Sequence, residues 1–532
     1  AKLGGQLATG SGKTKMMSLI VAWAYLNAVL EGESKLGFGQ HAILIAPNLF
    51  VKDRLLQDFA PPLGETSVFF ADPVVPPAFE RDFNLKVYDP VTCPRTLDPN
   101  QGALVVTNFH QLLREREETP TMAQWQERQM DLLFNAGEPE RLEAVSSPLI
   151  ERFGRSRGLL VLNDEAHHVW DETGHAKFEQ KAQEKARLNK DDEAAQDMAW
   201  IRSIRKLNGD GRGRVALQVD LSATLFEEAG AATTKAGKKS GTEFKPSDLF
   251  RHTCVYYSLA DAIRDGIVKR PVLERVEVRN QKTGEIEPHI REGQPNAWEK
   301  YRNLLVTGIE RWKKVKAQLE DEGDPRKPIL FILSNDRNEA REVANFLRYG
   351  EAARDDLEGR PVTGYQDGKA ALFVDKSGGV ARSTVVEIHI GEKEERNEEA
   401  WDAVRRSVNA VDHDRIPKMD GDNPVLDSNG QPVLEDNPYN VVVSVMMLKE
   451  GWDVRNVKVI VPLRPCDSRT LTEQTLGRGL RKMHPPLLDE DGAASMQKEE
   501  LYVIEHPSFR SIIDQIHDIV YLKSSEEIEH IL

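Results

Sequence analysis

Four short runs in the first half of the chain are apolar at nearly every position: HAILIA at His41–Ala46, ALVVT at 103–107, LLVL at 159–162 and VALQVDL at 215–221. A half-buried strand alternates polar and apolar residues. These runs do not, so each reads as a strand covered on both faces. Each is separated from the next by enough chain for a crossover helix, which favours a right-handed stack of helices on both sides of a parallel sheet. The same grammar returns after a polar stretch at 275–295, with PILFIL at 328–333, TVVEIHI at 384–390, VVVSV at Val441–Val445 and VKVIVP at Val457–Pro462. Between the first two of these, 335–348 sets Ala340, Val343, Ala344 and Leu347 at helical spacing. The fold class expected is α/β, with two tandem doubly wound parallel-sheet domains and helical insertions. The domains are placed at 1–275 and 296–532, with 276–295 as the connection, and 532 residues suffice for both.

Several segments interrupt this rhythm. Residues 113–157 are charged and helix-compatible, 172–208 read as a solvated helical excursion, and 229–242 carry the small and basic residues of a mobile loop. Residues 415–438, rich in Asp, Asn, Pro and Gly, read as a loop. The 71 Lys and Arg against 86 Asp and Glu give a net charge of −15, which argues against a protein that coats polyanions with a broad positive face. A basic cleft confined to one place remains compatible with it. Three widely spaced cysteines, Cys93, Cys254 and Cys466, offer neither a disulfide framework nor a zinc ribbon, and they fit a reducing, cytoplasmic setting. The longest apolar stretch, 16–30, is interrupted by Ser18 and Asn27 and falls short of the ~20 residues a membrane span needs. No membrane partner is expected. The sequence starts with Ala and reaches its first motif at once, so it reads as a portion of a longer product.

That motif is QLATGSGKT at 6–14. Gly10 and Gly12 permit tight turns in which successive N–H groups face one anion, and a helix starting near Lys13 adds its positive end. Lys13 is then placed for the β- and γ-phosphates of a nucleotide and the Thr14 hydroxyl for Mg²⁺, with Thr9 and Ser11 completing the loop. The general pattern has Gly where this chain has Leu7. A Gly-Lys-Thr can also arise in an ordinary surface turn, but the strand-like residues before it and the apolar helix after it favour the nucleotide reading. The second constellation is LLVLNDEAHH at 159–168. A buried strand ending in Asp164 and Glu165 delivers two carboxylates to the carboxyl edge of a parallel sheet, where such sheets bind ligands. Asp164 suits the Mg²⁺ shell, and Glu165 suits orienting or deprotonating an attacking water. Taken alone, Asp-Glu after a strand reads as readily as a helix start; the phosphate loop changes the balance. His167 is assigned a coupling role.

In their order these motifs resemble those of superfamily 2 helicases and translocases of the DEAD/DEAH type. LATGSGKT at 7–14 is similar to motif I, IAPN at 45–48 to motif Ia, VTN at 106–108 to motif Ib, DEAH at 164–167 to motif II, and Ser222-Ala223-Thr224 to motif III. Residues 331–334 fall where motif IV is expected, SVMMLKEGWDV at 444–454 resembles motif V, and QTLGRGLR at 474–481 resembles motif VI. A nearer likeness, to the Res subunit of type III restriction–modification enzymes and related defence helicases, rests on four features. They are Trp452 in EGWDV, LRP at 463–465, GRGLR at 477–481 and LADAIRDGIVKRP at 259–271.

The resemblance implies two RecA-like domains, ATP and Mg²⁺ as cofactors, and a nucleic-acid partner, with DNA favoured over RNA. It implies that Gln474, Arg478 and Arg481 face the γ-phosphate, where a planar, permanently charged guanidinium stabilises developing charge. It further assigns Gly451 and Asp453 to the nucleotide, Ser222 and Thr224 to coupling, and Pro47, Asn48, Thr107, Asn108 and Ser444 to the sugar–phosphate backbone. The expected function is an ATP-hydrolysing DNA translocase or helicase, the motor part of a restriction or antiviral defence system. An RNA or repair helicase, or a nucleotide-gated interaction module without translocation, are the alternatives. No nuclease pattern is found, since Glu387-Ile388-His389 lacks the lysine that a P-D…E-x-K site needs. No cutting is therefore expected from this chain alone, and a partner subunit or an additional nuclease or methyltransferase domain outside this chain is expected.

Overall fold

The computed structural model describes residues 1–30, 37–61, 65–108 without 72, 99 and 100, 112, 148–166 without 154 and 155, 200–223 without 202 and 210–212, 252–274, 284, 286–350 without 325, 365–388 without 368, 369 and 377–381, 415–445 without 421, 422 and 428–430, 454–463, 476–484 without 478, 487–488, 494–495, 499–506 without 505, and 521–523. It divides into two compact units, Ala1–Leu7 with Gly12–Tyr257 and Ala8–Ser11 with Ser258–Leu532.

The first unit is built on a seven-stranded sheet of β1 (Lys2–Leu7), β2 (His41–Ala46), β3 (Leu85–Tyr88), β4 (Gly102–Asn108), β5 (Leu159–Asp164), β6 (Val215–Ser222) and β7 (Thr253–Tyr257). The spatial order is β3-β4-β2-β5-β6-β1-β7 and every pair is parallel. The missing alternation in the sequence has a direct cause. Ala42, Leu44, Leu160 and Leu162 pack with Met17, Val21 and Tyr25 of helix α1 (Lys13–Leu30) and with Leu55 and Phe59 of α2 (Leu49–Phe59). Ile43, Ile45 and Val161 project the other way, onto Phe153, Trp200 and Ile204. Both faces of the central strands are thus covered, and their successive positions are mostly apolar. The end of the 172–208 stretch is accordingly not solvated: Trp200 and Leu207 are 1 % exposed. The remainder of that stretch, residues 113–147 and the 229–242 loop lie outside the described residues.

The second unit repeats the plan with β8 (Arg270–Glu274), β9 (Ile329–Ser334), β10 (Val385–Ile388), β11 (Val441–Val445), β12 (Val457–Pro462), β13 (Glu500–Ile504) and β14 (Tyr521–Lys523). They pair in parallel in the order β10-β11-β9-β12-β13-β8-β14. A short helix, α3 (Leu259–Arg264), precedes β8 and carries a capping box in which Ser258 and Asp261 bond each other's backbone amides. Helix α4 (Arg302–Asp321) lays Leu304, Leu305, Ile309 and Trp312 on the core. Helix α5 (Arg337–Tyr349), capped by Asp336, buries Ala340, Val343, Ala344 and Leu347, the four residues the spacing selected.

Two expectations change. The second unit begins at Ser258 rather than after 295, because β8 pairs residue for residue with β13, as in Val272 with Tyr502, and so belongs to the second sheet. Five residues carry too short a pattern to reveal which sheet they join. Residues 415–438 contain more than a loop: Arg415–Pro417 pairs antiparallel with Leu434–Asp436, and Met419–Asp420 with Asn423–Pro424. Strands of two and three residues leave no period to read. No helix among the described residues is long and apolar enough to cross a membrane.

Candidate nucleotide site

At the end of β1 the chain leaves the sheet through two left-handed glycines, Gly10 at φ +81° and Gly12 at φ +96°. Between them Ser11 closes a turn, its amide donating to Ala8 O at 3.1 Å and its hydroxyl to the same oxygen at 2.7 Å. α1 then starts at Lys13 with no acidic residue in its first turn, so nothing on the helix neutralises its positive end. Leu7, which stands at the first glycine position of the general motif, is still inside β1 and 7 % exposed within the core. The turn is made further on, and no glycine is needed there.

Because every strand is parallel, the carboxyl ends of β1, β5 and β6 share one edge. Asp164 ends β5 and is 1 % exposed; Ser222 ends β6 and is fully buried. The Lys13 ammonium donates to Glu165 Oε1 and lies 3.6 Å from Asp164 Oδ1. Ser222 Oγ donates to the other oxygen, Glu165 Oε2, at 3.3 Å. Glu165 itself sits at φ +51°, the one non-glycine residue with positive φ among the described residues, and its amide donates to Asp164 Oδ1 at 3.1 Å. Such a backbone costs of order 1–3 kcal/mol and persists where neighbours over-determine it, commonly at functional sites. Burial works against the charge on Lys13, yet Glu165 and Asp164 outweigh it and hold the ammonium above the usual lysine value. Burial, and then the Glu165 charge, push Asp164 up against the pull of Lys13 and Arg54. The donor set fits Mg²⁺, which takes hard oxygens and is commonly held by one or two carboxylates plus substrate phosphates. Asp164 is such a carboxylate, and Thr14, the second residue of α1, is a hydroxyl within the same loop.

Sequence reasoning missed two features here. Arg54 on α2 brings a guanidinium to 4.0 Å from Asp164 Oδ2. Beneath the carboxylates, Trp200 Nε1 donates to Asn163 Oδ1 at 3.1 Å, Asn163 Nδ2 donates to Asp220 Oδ1 at 2.7 Å, and His252 Nε2 meets Asp220 Oδ2 at 2.9 Å. Asn163 and Asp220 are register partners on β5 and β6, so this chain of bonds fixes the two strands that carry Asp164 and Ser222. Polar residues inside otherwise apolar strands were the available signal.

The residues assigned to the nucleic-acid backbone fare differently. Asn48 caps α2, its Oδ1 accepting from Val51 N at 2.9 Å. Pro47 is buried. Thr107 and Asn108 are 0 % and 2 % exposed, and the Thr107 hydroxyl donates to Asn108 O at 3.1 Å. In the second unit Ser444 is fully buried and donates to Val445 O at 2.9 Å. Thr107 and Asn108 are the last two residues of β4 and Ser444 the next to last of β11, so their side chains are buried within the sheets, and Pro47, directly after β2, is buried as well. Arg481 is partly exposed in the second unit. His167, Thr224, Gly451, Asp453, Gln474 and Arg478 lie outside the described residues.

Two all-parallel seven-stranded sheets, the first with a glycine turn, a lysine and paired carboxylates at its carboxyl edge, define an α/β protein of two tandem doubly wound units with a phosphate-loop-like site on the first. Residues 3–190 match the family described as type III restriction enzyme, res subunit. No curated protein sequence matches the chain. Among solved structures, the S. cerevisiae protein Dbp5 bound to RNA and ADP BeF3 is 11 % identical, with 97 % of this chain and 82 % of that one covered at a TM-score of 0.41. Mycobacterium smegmatis helicase Lhr bound to ssDNA and AMP-PNP is 13 % identical, covering 98 % and 47 % at 0.42. The ATP-dependent Type ISP restriction-modification enzyme LlaBIII bound to DNA is 12 % identical, covering 97 % and 28 % at 0.42. The strand orders and the site, rather than these scores, define the fold.

Proposed function

We propose that the chain is a nucleic-acid-dependent ATPase that translocates on DNA, the motor part of a restriction or antiviral defence assembly. The observation that carries this reading is the convergence of Lys13, Asp164, Glu165 and Ser222 at one sheet edge, directly after a glycine turn and a helix start. Lys13 binds the phosphates, and Asp164 with Thr14 holds Mg²⁺, which neutralises phosphate charge when bound. Glu165, fixed through its two carboxylate oxygens by Lys13 and Ser222, orients the attacking water and takes its proton. Ser222 lies at the end of β6, so a shift of that strand end moves the Glu165 carboxylate; this is a route by which strand grip and hydrolysis are coupled. Arg481, with Arg478 and Gln474, supplies the positive charge that the transferred phosphoryl group requires. Backbone amides and small side chains track the strand without reading its sequence.

The test is phosphate release from ATP, measured with no nucleic acid, with duplex DNA and with RNA, beside a Lys13→Ala control. The expected result is stimulation by DNA that the control abolishes. Stimulation by RNA alone would make the chain an RNA helicase, and hydrolysis indifferent to every nucleic acid would overturn the motor reading. Triplex displacement separates a translocase from a nucleotide-gated module. The purified chain is expected to leave plasmid DNA uncut.

A further inference from the structure

Lys269 stands one residue before β8, and its whole side chain is removed from solvent, at 0 % exposure. An ammonium in that position must be solvated by protein groups. Its Nζ donates to Arg455 O at 2.6 Å, to Val457 O at 2.6 Å and to Gly479 O at 3.1 Å, while its backbone amide donates to Leu480 O at 2.6 Å. One residue thereby ties the approach to β12 to the segment 479–480.

A second clamp grips the same segment from its other end. The Glu499 carboxylate, 5 % exposed, accepts from Met483 N at 3.0 Å and His484 N at 2.9 Å, and Lys458 Nζ lies 3.1 Å from it. Arg326 donates to Met483 O, and Asp324 Oδ2 meets His484 Nε2 at 2.5 Å. Gly479 fits because it has no side chain; a Cβ there would approach Leu501 Cδ1 to 2.7 Å and Ile460 Cδ1 to 2.9 Å. Arg481 therefore sits between two fixed points, with 479–480 held by Lys269 and 483–484 held by Glu499, Arg326 and Asp324.

A buried charge of this kind is seldom the most stable filling for a core, where apolar residues of equal volume often do as well or better. Fixed geometry is what it supplies. We infer that Lys269 and Glu499 are positioning residues for Arg481, holding its segment so that the guanidinium is presented in one fixed geometry for the role proposed above. This rests on the proposed ATPase reading.

The experiment compares wild type with Lys269→Met, Glu499→Gln and Arg326→Ala in the full chain, with Mg-ATP and the stimulating nucleic acid. Turnover is expressed per nucleotide site, counted by titration with a fluorescent ATP analogue. Lys269→Met is expected to leave analogue affinity within about twofold and to lower kcat about 10²-fold, the cost of misplacing a catalytic group by roughly an ångström. Glu499→Gln and Arg326→Ala are expected to cost less in the same direction. In an Arg481→Ala background, Lys269→Met is expected to cost nothing further, since a residue that acts through Arg481 is not additive with its loss. Unchanged kcat per site, or a full additional loss in the Arg481→Ala background, overturns the inference. Should Lys269→Met not fold, Arg326→Ala carries the same cycle, its side chain being 28 % exposed and removable. A wild-type chain that hydrolyses no ATP overturns the ATPase reading itself; a hydrolysing wild type with additive losses overturns only the positioning role.

Discussion

Lys13 in the first unit and Lys269 in the second are both largely withdrawn from water, and the two are solvated in opposite ways. Lys13 faces carboxylates at the open edge of the first sheet, where charges are concentrated that a nucleotide and its metal would rearrange. Lys269 donates to the carbonyls of Arg455, Val457 and Gly479, enclosed in the second unit. The contrast separates two uses of a buried cation: one is held ready for a ligand, the other replaces a ligand by binding the chain to itself.

The largest effect expected from this contrast falls on hydrolysis. Lys13→Ala should lower ATP turnover by about 10²–10³, the range found when one preorganised donor to developing charge is removed. Phosphate release under saturating ATP measures it, and retained turnover would place Lys13 with Lys269 as a structural cation. On stability the order reverses. Lys269→Met leaves buried carbonyls without a donor, each worth about 1–3 kcal/mol, so its urea midpoint should fall well below that of Lys13→Ala, whose bonded partner Glu165 is partly exposed.

The acid limb sharpens the same comparison. Burial alone would raise Glu499, but Lys458, the amides of His484 and Met483, and Lys269 bring it down to about 2. Asp324, likewise raised by burial, is brought to about 2 by Arg326 and His484. Both carboxyls are lower folded than unfolded, so their contribution is complete above the ordinary carboxylate range and drains away as pH falls through the folded value. The stability difference between wild type and Glu499→Gln should therefore be constant above pH 4.5, the ordinary value for this carboxyl, and shrink as pH approaches 2. A difference that persists undiminished at pH 2 would remove the second clamp from the account.

The smallest effect is expected at Ser222, where one hydrogen bond of 3.3 Å steadies Glu165. Ser222→Ala should reduce nucleic-acid stimulation of hydrolysis by about three- to tenfold, the worth of roughly 1 kcal/mol, with ATP affinity unchanged. Equal loss of basal and stimulated rates would make the hydroxyl a support for Glu165 alone.

Much of this was legible in order of residues. His41–Ala46, Val441–Val445 and Val457–Pro462 announce strands buried on both faces because packing against two helical layers demands apolar side chains at consecutive positions. Gly10, Gly12, Lys13, Asp164 and Glu165 are legible because a phosphate loop and a carboxylate pair need particular residue types at fixed local spacing. Neighbouring residues share a backbone path, so short-range geometry is written in the chain itself. Arg54, Asn163, Asp220, Lys269 and Glu499 are another matter. Lys269 stands 186 residues from Arg455 and 210 from Gly479, and in sequence it is one more basic residue beside an arginine. Only the strand order, which sets β8 beside β13 and β13 beside β12, brings its ammonium to those carbonyls. A long side chain is solvated by whatever surrounds it in space, and that surrounding exists only after the sheet has closed.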